Sequence, residues 1–291
     1  MNTAYQIVTD SSCDLPGSLA DTLGLVVVPL QFTIDDVTYL NESGGGSPDA
    51  HTFYEALRAG KHAATAAANP SQFLEKMEPV LGAGKDLLYI GFSSGLSTTY
   101  QSGCIAAQEL REKYPERTIL TLDSLCASLG QGLFVWLAAK RQQAGASLQE
   151  LYDALLALRP RLCHWFTVDD LLYLKRGGRI SAATAVVGTV LQIKPIMHMD
   201  DAGHLASVSK ARGRRAALHA LAEKVCREAA APETQTVFIC HGDCREDAEE
   251  VARQIRAGSP VREFVIHDVG PVIGAHTGPG VVSVFYVGEH R

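Results

Sequence analysis

The sequence predicts an α/β protein of two domains, the first (residues 1–160) a mostly parallel sheet wrapped by helices and the second (residues 161–291) a mixed α/β unit. Three observations carry that expectation. Short apolar runs alternate with amphipathic stretches through the first half, the pattern of strands joined by crossover helices. Past Arg159-Pro160 the rhythm changes, and a hairpin interrupts the alternation. The chain has 291 residues, more than a single core usually organises.

Each element has a local reason. Tyr5 to Val8 reads as a buried strand, followed by the polar loop Thr9-Asp10-Ser11-Ser12-Cys13-Asp14 and a helix entered through Pro16. Leu25 to Leu30 reads as the next strand, Asp35-Asp36 as a reversal, and Asn41 to Asp49, with its Gly44-Gly45-Gly46 run, as a loop. Asn69-Pro70-Ser71-Gln72 has an N-cap, a first-turn proline and a reciprocal glutamine, so a helix begins there. Leu87 to Phe92 and Thr118 to Leu122 are strands; Thr99 to Tyr114 and Ser128 to Gln143 are helices. The capping box Ser147-Leu148-Gln149-Glu150 opens one more helix, which ends near Arg159-Pro160. In the second half, Cys163 to Val168 is a strand, Ser181 to Val190 a helix, and Ile196 to Met199 pairs with Leu205 to Ser209 across Asp200-Asp201-Ala202-Gly203. Helices over Arg214 to Ala229 and Glu246 to Ala257 alternate with strands over Thr236 to Cys240 and Val261 to His267.

Composition narrows the function classes. Hydrophobic residues make up 46% and charged residues 20%, and 26 basic against 32 acidic side chains leave a net charge of -6. No broad basic surface for nucleic acid is expected from that balance. Met1-Asn2-Thr3-Ala4-Tyr5-Gln6 has no basic start or apolar core of an export signal, and no apolar run approaches the roughly 18 residues of a membrane span. Seven scattered cysteines suit reduced thiols, so a cytoplasmic protein is expected.

Three hydroxyl-rich loops follow strands at what a parallel sheet makes its binding edge: Thr9 to Ser12, Ser93-Ser94-Gly95-Leu96-Ser97-Thr98-Thr99, and Asp123-Ser124. Hydroxyls at helix N-termini receive a carboxylate or phosphate well, although plain N-capping accounts for any one of them. Between Leu172 and Ser181, a Gly177-Gly178 bend crowds Lys175, Arg176 and Arg179 together, as a helix C-terminus or as an exposed basic surface. Near the C-terminus, Val269 to Gly280 sets His276 among four glycines, a backbone suited to close approach by a ligand.

The ordered set of these segments resembles the DegV family of bacterial fatty-acid-binding proteins. The matching residues are Thr9 to Leu15, Val28-Pro29-Leu30, Ser93 to Ser102, Tyr173 to Ser181, Ile193-Lys194-Pro195-Ile196, Lys210-Ala211-Arg212-Gly213 and Gly270 to Gly280, which span nearly the whole chain. The resemblance implies a long-chain fatty acid held between two α/β domains and presented to a partner fatty-acid kinase, which phosphorylates the carboxylate for phospholipid synthesis. No cofactor is implied. By resemblance, Thr65 and the serines Ser97, Ser93 and Ser94 hold the carboxylate, with Arg212 and His276 near the head group. Lys175, Arg176 and Arg179 then offer a surface to the kinase or, transiently, to an acidic membrane. Apolar residues such as Ile180, Ala185, Val186, Val190 and Ile193 are candidates for the tunnel lining, as they are for ordinary core. Two departures stand out: Thr65-Ala66-Ala67 where the family shows Thr-Ser-Gln, and Ser97-Thr98-Thr99-Tyr100 where it shows Ser-Gly-Thr-Tyr.

Two rival readings remain at the level of sequence. Ser97, His276 and Asp268 supply the residue types of a hydrolase triad, without a Gly-x-Ser-x-Gly elbow around the serine. Cys240-His241-Gly242-Asp243-Cys244 offers four metal-ligand types in one tight run. No P-loop or Gly-x-Gly-x-x-Gly fingerprint follows the first strand.

Overall fold

The computed structural model describes residues 4–42, 48–181 and 192–291. The first half runs β1 (Tyr5–Asp10), α1 (Gly17–Thr22), β2 (Val26–Val28), β3 (Leu30–Ile34), β4 (Val37–Asn41), α2 (Ala50–Arg58), β5 (Ala63–Ala66), α3 (Pro70–Gly82), β6 (Asp86–Gly91), α4 (Thr99–Lys113), β7 (Ile119–Asp123), α5 (Leu129–Gln143) and α6 (Leu148–Leu158). Four of these strands form a wholly parallel sheet in the order β2-β1-β6-β7. Helices pack against it, so β6 is buried along almost its whole length, as a two-sided parallel strand should be. Both expected capping boxes are present, Asn69 with Gln72 and Ser147 with Glu150.

The run from Leu25 to Leu30 is not one strand. Pro29 lacks the N–H a ladder needs, and the chain splits there into β2 of the parallel sheet and β3 of a separate antiparallel sheet, ordered β4-β3-β5. Asp35 and Asp36, with φ of 45° and 67°, make the two-residue turn between β3 and β4.

The second half runs β8 (Leu162–Thr167), α7 (Leu171–Arg176), β9 (Ile193–Met199), β10 (Leu205–Arg212), α8 (Arg214–Glu228), β11 (Thr236–His241), α9 (Arg245–Gly258), β12 (Glu263–Asp268), α10 (Pro271–Thr277) and β13 (Val282–Val287). Its mixed sheet has the order β10-β9-β8-β13-β11-β12, with only β11 and β12 parallel. The expected helix from Ser181 to Val190, apart from Ser181 itself, and the glycine run Gly44 to Gly46 lie outside the described residues. The segment from Gly270 to Gly280, expected as a glycine-rich loop, is largely the helix α10, opened by Pro271 at its first position.

Period two divides the mixed sheet into faces. Cys163, Trp165, Val282, Val284 and Tyr286 point to one side, into a cluster closed by α8 and α9. Phe166 and Phe285 point to the other, where they join a core continuous with that of the parallel sheet. Helix α5 lies in this shared core. It comes close enough to the mixed sheet that a Cβ at Gly130 would sit 2.8 Å from the Phe285 ring.

At this junction Asp14 is buried, accepting a hydrogen bond of 2.5 Å from the Ser128 hydroxyl. Burial pushes its carboxyl up to about 8, against the lowering effect of the Ser128 and Gly270 hydrogen bonds. The folded state therefore holds this proton to higher pH than the unfolded chain, whose value is 3.8. The stability it contributes is complete below pH 3.8 and is lost as pH rises through about 8. Asp14→Asn is expected to flatten the fall in denaturant midpoint between pH 5 and pH 8.5. An unchanged fall would assign it to other groups.

Candidate functional site

A cavity of about 390 Å³ opens where the parallel sheet's strand ends, β5, α10 and the inner face of the mixed sheet converge. Its wall is mainly apolar, including Leu30, Phe92, Phe166, Leu205, Val272 and Ile273. Polar groups enter at a few points, the usual build of a small-molecule pocket.

The principal polar cluster joins both halves of the chain. Thr65 on β5 places its Oγ1 2.8 Å from Nε2 of His276 on α10. The imidazole is held in place by Gly177, where a Cβ would stand 2.2 Å from Nδ1. Nδ1 is buried without a partner among the described residues. An orphaned acceptor is better tolerated than an orphaned N–H, so the tautomer that fits carries its proton on Nε2 and donates it to Thr65. The Thr65 hydroxyl is then free to donate into the cavity. Burial, with Arg179 nearby, brings His276 down to about 4, so the ring is neutral near pH 7.

Arg179 lines the same cavity. Its Nε donates to the Leu96 carbonyl at 3.1 Å and Nη1 to the Gly177 carbonyl. Among the described residues it has no carboxylate partner, and burial lowers its pKa. A half-buried cation facing a cavity without a counter-ion is a receptor for an anion. The placement corrects the sequence reading, which grouped Arg179 with an exposed basic surface. Lys175 and Arg176 do remain exposed at the end of α7, the Arg176 guanidinium stacked 4.5 Å above the Tyr173 ring.

Of the three hydroxyl-rich loops, only Ser93 to Thr99 reaches the cavity. Ser94, Ser97 and Thr98 line it, and the Ser97 hydroxyl lies 2.9 Å from that of Thr99. Ser93 is turned away: it is buried and donates to the Gly203 carbonyl at 2.7 Å, tying the loop to the β9–β10 turn. The Thr9 to Ser12 loop is consumed internally. Thr9 donates to the Ile90 carbonyl, Ser12 to Asp10, and Ser11 accepts from the Leu30 N–H. Asp123 accepts from the Ser94 N–H and so supports the loop from behind.

Arg212 does not join the cluster. It is exposed and borders a separate surface hollow with Arg215, His219 and Arg253. Ile180 and Ile193 do not border the cavity either, while Ala185, Val186 and Val190 lie outside the described residues. Ala66, Ala67 and Thr98, the three departures, all line it, so methyl groups stand at 66 and 67 where the family pattern has polar side chains, and a threonine side chain stands at 98 where it has glycine.

The rival constellations come apart in three dimensions. Asp268 pairs with His241 at 3.3 Å, not with His276, and Ser97 bonds to Thr99. In the Cys240 to Cys244 run, Cys240 lies 3.4 Å from Ser128 and burial pushes its thiol up to about 12. Asp243 bonds instead to Arg58 and His51. Among the described residues the only group with metal-ligand spacing is His51, Glu55 and Asp243, where Arg58 already bonds to both acids.

Comparison with known proteins agrees with this architecture. The model of a family described as uncharacterised proteins of the DegV family matches residues 4–289. A DegV domain-containing protein of Clostridium perfringens is 42% identical over 288 residues, covering 99% of this chain and 98% of that protein. A structure from Thermus thermophilus, described as fatty acid binding of a DegV family protein, superposes with a TM-score of 0.86 at 28% identity, covering 98% of this chain and 99% of that one. DegV of Bacillus subtilis, described as a fatty acid binding protein, gives 0.84 at 26% identity over 99% of this chain and 100% of its own. With a family match over nearly its full length and close relatives along all of it, the chain belongs to the DegV family.

Proposed function

We propose that the protein binds one long-chain fatty acid and presents its carboxylate to a partner fatty-acid kinase, itself contributing no catalytic group and requiring no cofactor. The observation that carries the binding step is Arg179, a half-buried cation with no counter-ion among the described residues, beside the Thr65–His276 pair in an otherwise mainly apolar cavity. A carboxylate there receives the guanidinium, the Thr65 hydroxyl and donors of the Ser94 to Ser97 loop, which offset a desolvation cost of several kcal/mol. The chain supplies affinity: at about 0.8 kcal/mol per buried methylene, a long acyl chain contributes on the order of 10 kcal/mol. The two DegV structures described as fatty-acid-binding support this reading. Exposed Lys175 and Arg176 beside the site suit an acidic face of the kinase or an anionic membrane. Seven free thiols fit the cytoplasm, and none of the described helices is long and apolar enough to cross a membrane.

Mass spectrometry of an organic extract tests the binding step. Wild-type protein is expected to carry fatty acid near one equivalent, and a Thr65→Val, Ser97→Ala double variant to carry less than a tenth of that. Wild-type protein that carries none and takes up none when offered it would end this reading. The kinase step is tested with ATP and a fatty-acid kinase catalytic subunit, trapping acyl phosphate as the hydroxamate. Product is expected only with both proteins present.

A further inference from the structure

A second polar group stands in the wall of the cavity, away from the carboxylate receptors. His164 on β8 faces the shared core, on the side of the sheet that also carries Phe166 and Phe285. Its ring lies between these two aromatics, with centroids 5.6 Å and 4.5 Å away, and borders the cavity. Nδ1 is wholly buried and has no hydrogen-bond partner among the described residues. The neighbouring hydroxyls do not provide one: Ser128 donates to Asp14, and Ser283 pairs with the Cys240 thiol. Phenylalanine or leucine would fill such a place without an unsatisfied polar atom, and an unsatisfied buried polar group asks for an explanation. Burial lowers the His164 pKa well below its usual value, so the ring is neutral, with one donor and one acceptor.

We propose that His164 is a second binding subsite, which takes an oxygen substituent, a hydroxyl or an oxo group, on the chain of the bound acid. The inference rests on the fatty-acid reading above and specifies its ligand class: oxygenated long-chain acids over their unsubstituted parents. Nδ1 has no open surface, so the ring meets a ligand in the cavity through Nε2: a hydroxyl satisfies that atom in either tautomer, and an oxo group accepts from it when it carries the proton. Because the carboxylate is fixed at the Arg179 end, the imidazole selects for the position of the oxygen along the chain.

The test is a competition on delipidated protein between stearic acid and a series of monohydroxystearic acids with the hydroxyl moved along the chain, the bound acid being read by mass spectrometry. One position is expected to bind roughly tenfold better than stearic acid, as one buried hydrogen bond allows, with the preference falling away on either side. His164→Phe should abolish that peak and still bind stearic acid, while His164→Gln, which keeps a donor and an acceptor, should retain part of it. A flat profile in a wild-type protein that binds stearic acid overturns the subsite alone, as does a peak that survives His164→Phe. Failure to bind any acid overturns the fatty-acid reading and the subsite together. Should His164→Phe not fold, histidine 15N spectra of the wild-type protein decide. The hydroxy acid at the preferred position shifts one imidazole that stearic acid leaves in place, and no such shift overturns the subsite.

Discussion

Arg179→Met is expected to weaken fatty-acid binding about 100-fold, equivalent to roughly 2.7 kcal/mol, while leaving the fold intact. Methionine keeps an unbranched stem of similar length against the Leu96 and Gly177 backbone, so the packing loss is small. What disappears is, among the described residues, the one cation lining the cavity, and a carboxylate brought there then has hydroxyl and neutral imidazole partners. Arg179→Lys should fall between, since an ammonium restores charge without the planar fork that can hold two carboxylate oxygens. The readout is displacement of a fluorescent fatty acid, with the fatty alcohol of equal length as the control. The alcohol should bind wild type and Arg179→Met about equally. A loss in acid affinity of less than threefold, or an equal loss for the alcohol, would remove Arg179 from the head-group site.

That arginine also shows where sequence reading stops. The Gly177-Gly178 bend and its three cations are plain in the sequence, and the structure does end α7 there, with Gly178 at a φ of 71°. Which cation turns inward depends on the Leu96 carbonyl, a partner 83 residues away in the chain. The Ser93 to Thr99 loop and His276 were legible because hydroxyl clusters after a strand and a histidine among glycines are local signals. The antiparallel sheet was not. Ala63-Ala64-Thr65-Ala66 has little β-propensity and becomes a strand only by pairing with Phe32 and its neighbours. Without that strand, nothing local says that Thr65 meets His276, since a pair of residues 211 apart is a product of topology. The strand β13 was missed for a related reason: it is central to its sheet and nearly all buried, so it lacks the polar alternation that marks a half-buried strand.

Asp10→Ala is expected to cost about 3–5 kcal/mol of stability, at the upper end for a single substitution, because it breaks a buried hydrogen-bond network. Asp10 ends β1 with no exposed surface and collects four donors: the Ser12 N–H and hydroxyl, the Tyr89 hydroxyl at 3.1 Å and the Phe92 N–H at 3.0 Å. Burial raises its pKa and all of these bonds oppose that rise. Alanine leaves the donors buried with nothing to accept from them, and each such orphan costs about 1–3 kcal/mol unless water enters. Asp10→Asn keeps the shape but turns one acceptor into a donor facing other donors, so it should lose much of the same stability. Urea denaturation at pH 7 measures both, and a cost below about 1 kcal/mol for alanine would show that the network relaxes freely. The expected consequence reaches the site as well. Phe92 is the residue from which the Ser93 to Thr99 loop departs, and its N–H is fixed by Asp10, so the loop that carries Ser94 and Ser97 is anchored to the first strand of the sheet. In folded Asp10→Ala protein, fatty-acid affinity should therefore fall along with stability, whereas a variant that unfolds more easily but binds as wild type would show that the loop is held by Ser93 and Asp123 alone.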